Sequence, residues 1–209
     1  MPAAVFVSEH PLVRHMLASL RDASTPPPRF RQLVSEIAQT LFYDATRDLR
    51  LVDVTIATPM APCPAVNVAD KIGLIPVLRA GLGMADAILN AFPEAAVWHL
   101  GLYRDHNTLK PITYYNKLPA NHGLDVGIVL DPMLATGGSA IAALEILKLA
   151  KVPKVKFIGL IAAPEGVAAL QAAHPDVPIY LAAIDERLNE VGYIVPGLGD
   201  AGDRQFGTL

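Results

Sequence analysis

The chain has 209 residues, 52% of them hydrophobic and 18% charged, with a formal net charge of −3. That is enough apolar material for the core of one folded domain, and it excludes a disordered or low-complexity chain. No Lys/Arg block favours nucleic acid as the main partner, and a single cysteine, Cys63, rules out an intrachain disulfide and fits a reducing compartment.

Two helices come first. Leu12, Val13, Met16, Leu17 and Leu20 recur at helical spacing behind Pro11, which suits an early helical position. A second helix is expected after Pro26-Pro27-Pro28, with Phe30, Leu33, Val34, Ile37, Leu41 and Phe42 as its apolar stripe. Val52, Val54 and Ile56 alternate with polar residues as in a half-buried strand, and the prolines that follow suggest an edge or a turn. Cys63 sits in that proline-rich run, where nothing lowers a thiol pKa, and reads as structural.

Beyond residue 70 the texture changes. Ile72–Leu78, Val97–Leu102, Val126–Leu130, Val155–Ile161 and Ile179–Ile184 are short, nearly continuous apolar runs, as expected of parallel strands buried on both faces. Helical segments fall between them at Met84–Phe92, Ser139–Leu149 and Gly166–Ala173. The alternation predicts an α/β fold with a mainly parallel sheet flanked by helices. In such sheets ligands bind beyond the C-terminal ends of the strands. The N-terminal MPAAVFVSEHP lacks the pattern of a signal peptide, and the apolar stretch 72–92 is broken by Arg79 and Asp86, so a cytoplasmic protein without a membrane span is expected. The six histidines show no metal-ligand spacing, so no protein-built metal site is expected.

Four segments carry chemistry. In the first, a buried strand ends at Asp131 and a loop with Thr136, Gly137, Gly138 and Ser139 opens a helix. Glycines admit close backbone approach, hydroxyls add hydrogen bonds and a helix N-terminus favours an anion, so this is a phosphate cradle. Taken alone, the loop also reads as an ordinary capped corner. It has neither the Gly-Lys-Ser/Thr of a P-loop nor a GxGxxG. The second is Pro76-Val-Leu-Arg-Ala-Gly-Leu-Gly-Met84, where Arg79 and two glycines follow a strand and suit a diphosphate; a solvent-facing arginine is the plainer alternative. The third, Leu102–Pro119, is a polar cluster in which a lid carrying Arg104 would place a cation on a leaving group, and which otherwise reads as a solvated loop. The fourth is the Gly/Asp-rich tail from Gly192 to Thr208, in which Tyr193, Ile194, Val195, Leu198 and Phe206 are too apolar for a floating terminus; a structured loop or a cap over a site fits.

Asp131-Pro-Met-Leu-Ala-Thr-Gly-Gly-Ser139 resembles the signature of type I phosphoribosyltransferases that binds 5-phosphoribosyl-1-diphosphate (PRPP), in the form seen in the uracil phosphoribosyltransferase family. Most type I members have two adjacent acids here; Asp131 followed by Pro132 matches the uracil members. The other three segments and Arg47-Asp48-Leu49 match in order, so the resemblance covers almost the whole chain. It implies a type I phosphoribosyltransferase-like domain over 1–209. The core would span about 68–187, a small hood or cap would come from about 50–67 and 188–209, and N-terminal helices from about 10–48. It implies transfer of the phosphoribosyl group from PRPP to N1 of uracil, giving UMP and diphosphate in pyrimidine salvage.

By that resemblance Asp131, Pro132, Met133, Leu134, Ala135, Thr136, Gly137, Gly138 and Ser139 bind PRPP together with Arg79, Arg104 and Asp200. Asp131 would hold the ribose hydroxyls. Ile194, Gly199, Asp200 and Ala201 would hold uracil, largely through backbone atoms. Arg79, Arg104, Asp131 and Asp200 would be the catalytic set, with Mg²⁺ arriving on PRPP. An unusual, strained backbone is expected at the Arg79 turn. His106 and the Pro26–Pro28 run receive no family role. Apolar helix faces and Ala-rich segments suggest a homodimer or homotetramer. Regulation by GTP, found in some relatives, is left open. Two other readings share the cradle: a phosphoribosyltransferase for a purine or orotate, which the tail argues against, and a regulatory RNA-binding protein, which the mild acidity argues against.

Overall fold

The structure is a computed structural model that describes residues 4–104, 111–119 and 121–208, without the side chains of Tyr103, Arg104 and Pro111. In chain order, β1 (Val5–Val7) leads to α1 (Pro11–Arg21) and α2 (Pro27–Ala45), then to the hairpin β2 (Leu51–Ala57) and β3 (Pro62–Val68). Next come β4 (Ile72–Leu78), α3 (Leu82–Ala91), β5 (Ala96–Val97), β6 (Leu100–Arg104) and β7 (Pro111–Asn116). Then follow β8 (Val126–Leu130), β9 (Met133–Leu134), α4 (Gly138–Leu149), β10 (Lys154–Ala162), α5 (Pro164–Ala173) and β11 (Ile179–Ile184). The chain closes with β12 (Arg187–Leu188), β13 (Ile194–Val195) and α6 (Ala201–Phe206).

The main sheet has the order β1-β11-β10-β8-β4-β6-β7, all parallel except β7, which runs antiparallel to β6. Strand periodicity separates its two faces. Leu74, Ile128 and Ile158 turn toward a core shared with α1, α2 and α3. Ile75, Val129 and Phe157 turn toward a second core shared with α4 and α5. Both faces are covered, which is why the central strands read as unbroken apolar runs. The chain leaves β4 toward β6 on one side and leaves β8 toward β10 on the other. A switch point therefore lies between β4 and β8, where a crevice opens outside the strand ends.

Two expectations are corrected in detail. The second helix begins at Pro27, within the proline run, because a missing N–H costs nothing in a first turn. The run at 97–102 is two strands: Val97 pairs with Leu74 and Leu100 with Val77 of β4, and between them the Trp98 N–H still donates to the Leu74 carbonyl but the ladder does not continue through His99. A third correction is larger. Val52, Val54 and Ile56 do not form a half-buried strand, because β2 and β3 make a separate two-stranded sheet with most residues exposed on both faces. Alternation tells which residues share a face, but not whether anything covers it. Pro62 and Pro64 are tolerated in β3 because a two-stranded hairpin is all edge.

The N-terminal helices bind the two ends of the chain together. α2 buries Phe30, Leu33, Val34, Ile37, Ala38, Leu41, Phe42 and Ala45, and each large side chain contributes about 1.5–3 kcal/mol. Buried Lys156 on β10 donates to the Ala45 carbonyl and pairs with Asp48, fixing the end of α2 to the sheet. A buried ammonium is stable only with such partners.

Candidate active site

Asp131 lies just past β8, at the switch point. β9 turns the chain back along β10, where Pro132 is buried and its carbonyl accepts from the Leu160 and Ile161 N–H groups. The loop then meets α4 at Gly137, the N-cap, with φ 85°. This is the left-handed region, which a side chain disfavours. The glycine brings no side chain to compete for the first-turn N–H groups, which have no partner within the helix. An anion is the natural partner for them.

A cavity of about 500 Å³ opens over this loop. Asp131, Met133, Leu134, Ala135, Thr136, Gly137, Gly138 and Ser139 line one side, and Ile194 and Asp200 the other. Two segments some sixty residues apart, chosen from sequence as phosphate cradle and base segment, thus share one cavity. A cleft of about 600 Å³ exists beside edge strand β1, but it has no strand-end glycine cradle. Pro132, Gly199 and Ala201 are not in the lining of the 500 Å³ cavity: Pro132 joins the sheet and Ala201 is fully buried, its carbonyl accepting from Gln205 Nε2 at 3.0 Å. Gly199 is exposed next to Asp200.

Asp200 caps α6, its Oδ1 accepting from the Asp203 N–H at 2.9 Å. Arg79 does not reach the cradle side. Its Nη2 donates to Asp203 Oδ1 at 3.1 Å, which places the β4–α3 turn against the C-terminal segment. The Thr208 hydroxyl, followed by Arg79, holds the Asp203 carboxyl below the usual carboxylate range. The Leu78–Arg79 peptide is cis. Of the segment Leu102–Pro119 expected to form a lid, residues 111–116 instead form β7, paired antiparallel with β6; the Arg104 side chain and residues 105–110, including His106, lie outside the described residues.

Ala140, Val191, Gly192 and Tyr193 also line the cavity; Gly192 and Tyr193 fall in the tail segment singled out from sequence, but none of the four received a ligand role there. Val191, Gly192 and Tyr193 directly precede Ile194, so adjacency to the base segment was the available signal. Sequence reasoning also missed Asp203 as the partner of Arg79.

Burial pushes the Asp131 carboxyl up to about 7, although part of the residue still reaches solvent. The nearby Asp200 charge pushes in the same direction, and a weak hydrogen bond from the Met133 N–H, at 3.5 Å, opposes it. Asp200→Asn keeps a good cap and removes the charge. We expect it to lower the Asp131 pKa, read as a carboxyl titration by carbon-13 NMR; an unchanged or higher value would contradict this electrostatic account.

Asp131 and Asp200 offer hard oxygen donors facing one cavity, which suits Mg²⁺ held mainly by phosphate oxygens and water. Among the described residues no group of three His, Cys, Asp or Glu forms a metal cage. No helix among them is long and apolar enough to cross a membrane.

Comparison with known proteins agrees with this geometry over almost the full chain. The family profile described as uracil phosphoribosyltransferase matches residues 7–208. A uracil phosphoribosyltransferase from Roseiflexus castenholzii is 63% identical over 204 residues, covering 98% of both chains. One from Symbiobacterium thermophilum is 57% identical over 205 residues, again covering 98% of both. A solved structure from Aquifex aeolicus superposes with a TM-score of 0.91 at 36% identity, covering 97% of this chain and 98% of the other. A hypoxanthine phosphoribosyltransferase from Staphylococcus aureus shares the fold alone, with a TM-score of 0.51 at 12% identity over 76% of each chain. With the type I phosphoribosyltransferase sheet, the cradle after β8 and the tail that faces it, the chain belongs to the uracil phosphoribosyltransferase family.

Proposed function

We propose that the protein transfers the 5-phosphoribosyl group of PRPP to N1 of uracil, releasing UMP and diphosphate. The observation that carries this is the shared cavity, with an anion cradle and Asp131 on one side and the Ile194–Asp200 segment on the other. Thr136 to Ser139 anchor the 5′-phosphate, and Asp131 accepts from the ribose hydroxyls. This remote binding aligns C1 of the ribose with the base. Arg79 and Arg104 stabilise the negative charge that grows on the departing diphosphate as C1 gains oxocarbenium character. Mg²⁺ bound with PRPP supplies further positive charge to the phosphate oxygens. Of the hood expected from about 50–67 and 188–209, the second stretch stands over the base, and the core, about 68–187, positions the ribose phosphate. A homo-oligomer is supported by the exposed apolar residues Leu51, Val52, Ile56, Val66 and Val68 on the β2–β3 hairpin.

Uracil donates through N3–H and accepts at O4, whereas cytosine reverses both. A backbone carbonyl and N–H from Ile194 and residues 199–201 satisfy uracil and would leave two buried groups unpaired against cytosine. Sites that depend on such pairing discriminate by about 10⁴-fold. The test is product formation from PRPP, Mg²⁺ and each of uracil, cytosine, hypoxanthine and orotate. UMP from uracil with at least that margin over cytosine is expected. Comparable turnover of uracil and cytosine would remove the pairing scheme, and turnover of hypoxanthine or orotate instead would replace the proposed substrate.

A further inference from the structure

The segment read above as the base site is gripped by a helix at the other end of the chain. Arg21, the last residue of α1, presents both terminal nitrogens to Asp185: Nη1 donates to Oδ2 at 2.7 Å and Nη2 pairs with Oδ1. The same Nη1 donates to the Gly197 carbonyl at 2.8 Å. Asp185 Oδ2 in turn accepts from the Gly197 N–H, also at 2.8 Å. Both backbone polar groups of Gly197 are therefore held by one ion pair. Asp185 follows β11, and its own N–H donates to the Ala162 carbonyl at the end of β10 at 2.8 Å, so the anchor is the central sheet. The Asp185 side chain is only 3% exposed and that of Arg21 23%. Such a pair is held in one geometry by its two-pronged bond rather than by charge alone.

Gly197 stands between Ile194 and Gly199 to Ala201, the two stretches whose backbone is read as contacting uracil. We infer that Arg21 and Asp185 are positioning residues for the base: they set where the Ile194 and Gly199–Ala201 backbone groups stand, without touching the substrate. This rests on the base-site reading given under Proposed function. A second attachment runs in parallel. Arg204 of α6 donates to the Leu20, Leu198 and Asp22 carbonyls at 2.9, 2.8 and 2.5 Å and lies over the Phe30 ring at 4.4 Å. The end of α1 thus has its backbone tied to the tail by Arg204 and its last side chain committed to Gly197. None of the Arg21, Asp185 or Arg204 hydrogen bonds goes to the cradle after β8, which meets the anchor residue Ala162 only through the β9–β10 ladder, so the two substrates should respond differently when the clamp is weakened.

The experiment is steady-state kinetics of the full chain with each substrate varied in turn, on Arg21→Lys and Asp185→Asn. Arg21→Lys keeps the charge but loses the fork, and a displaced hydrogen-bonding site weakens base binding by about tenfold. We expect KM for uracil to rise about tenfold while KM for PRPP and kcat stay within about twofold. Leu17→Ala, which opens a cavity beneath α1 without touching the clamp, serves as the structural control: it should lower Tm and leave KM for uracil unchanged. Gly199→Val tests the underlying reading, since a β-branched residue at φ 76° must shift that backbone. If Gly199→Val raises KM for uracil but Arg21→Lys does not, the clamp is wrong and the base site stands. If Arg21→Lys and Leu17→Ala raise it alike, or Arg21→Lys raises both KM values equally, positioning is wrong and the pair is merely structural. If Gly199→Val leaves it unchanged, the base-site reading fails and the clamp fails with it. Should Asp185→Asn not fold, Arg21→Lys alone decides, because its side chain lies nearer the surface.

Discussion

Asp131→Asn is expected to lower kcat/KM for PRPP by about 100-fold at pH 8 while making the protein more stable at that pH. The two effects have one cause. On the reading proposed above, the Asp131 carboxylate in the crevice outside β8 accepts from two ribose hydroxyls, and charge-assisted hydrogen bonds of this kind contribute about 1.5–3 kcal/mol each. Without ligand, the same crevice disfavours the charge and raises the carboxyl to about 7, against 3.8 for the free group. Between those pH values the folded protein keeps a proton that the unfolded chain has released. Stability therefore falls as pH rises through that window, and the loss is complete above the folded pKa. Asparagine cannot ionise, so it escapes the loss. Allowing for the solvent that still reaches Asp131, the gain is on the order of 2 kcal/mol, or about 5 °C in Tm for a chain of this size. Thermal melts at pH 4 and pH 8 check it: the variant should exceed the parent at pH 8 and match it at pH 4. In the parent, kcat/KM for PRPP should rise with pH through about 7, because that quantity follows ionisations of the free enzyme. Equal Tm values at both pH values would show that Asp131 is not held protonated.

Gly81→Ala is expected to cost more activity than its size suggests. A Cβ at Gly81 would stand 2.4 Å from the Leu130 carbonyl oxygen and 2.9 Å from the Val77 nitrogen, all of it backbone. Leu130 is the last residue of β8 before Asp131, and Gly81 follows Arg79 by two residues in the β4–α3 turn. The turn read as binding diphosphate therefore packs directly on the strand that leads into Asp131, the carboxylate proposed for the ribose. A methyl group forces the two apart. Overpacking of this kind costs about 1–3 kcal/mol of stability. A displacement near 1 Å between groups that must act on one substrate costs about 100-fold in rate. Denaturant melts together with UMP formation test this. A variant that melts earlier yet keeps full kcat would mean that the contact between the two loops does not matter to the chemistry.

Much of the architecture was legible because it is written locally. The strands β4, β8 and β11 fall on apolar runs whose bounds match, since a parallel strand covered on both faces tolerates few polar residues anywhere along it. The cradle was legible for a similar reason. Glycine at a left-handed N-cap, small hydroxyl residues and an acid at a strand end are all neighbours in sequence, so their chemistry shows without a fold. Val52, Val54 and Ile56 do fall on a strand, but its half-burial was not legible, because exposure depends on whether another layer lies above it and a periodic pattern does not carry that information.

The sequence by itself determined the α/β class and, through ordered short motifs, the family; it also marked out the loop proposed as a phosphate cradle. Tertiary structure alone decided what acts together. It buried Asp131 and brought Asp200 to the same cavity; burial first, with the neighbouring charge adding to it, raises the Asp131 carboxyl to about 7, a property of the surroundings and not of the residue. It set Arg79 against Asp203 and Arg21 against Asp185, pairs separated by 124 and 164 positions. Spacing within a motif reports on one turn or one loop. A contact across such a separation exists only once the sheet order has fixed which ends of the chain meet.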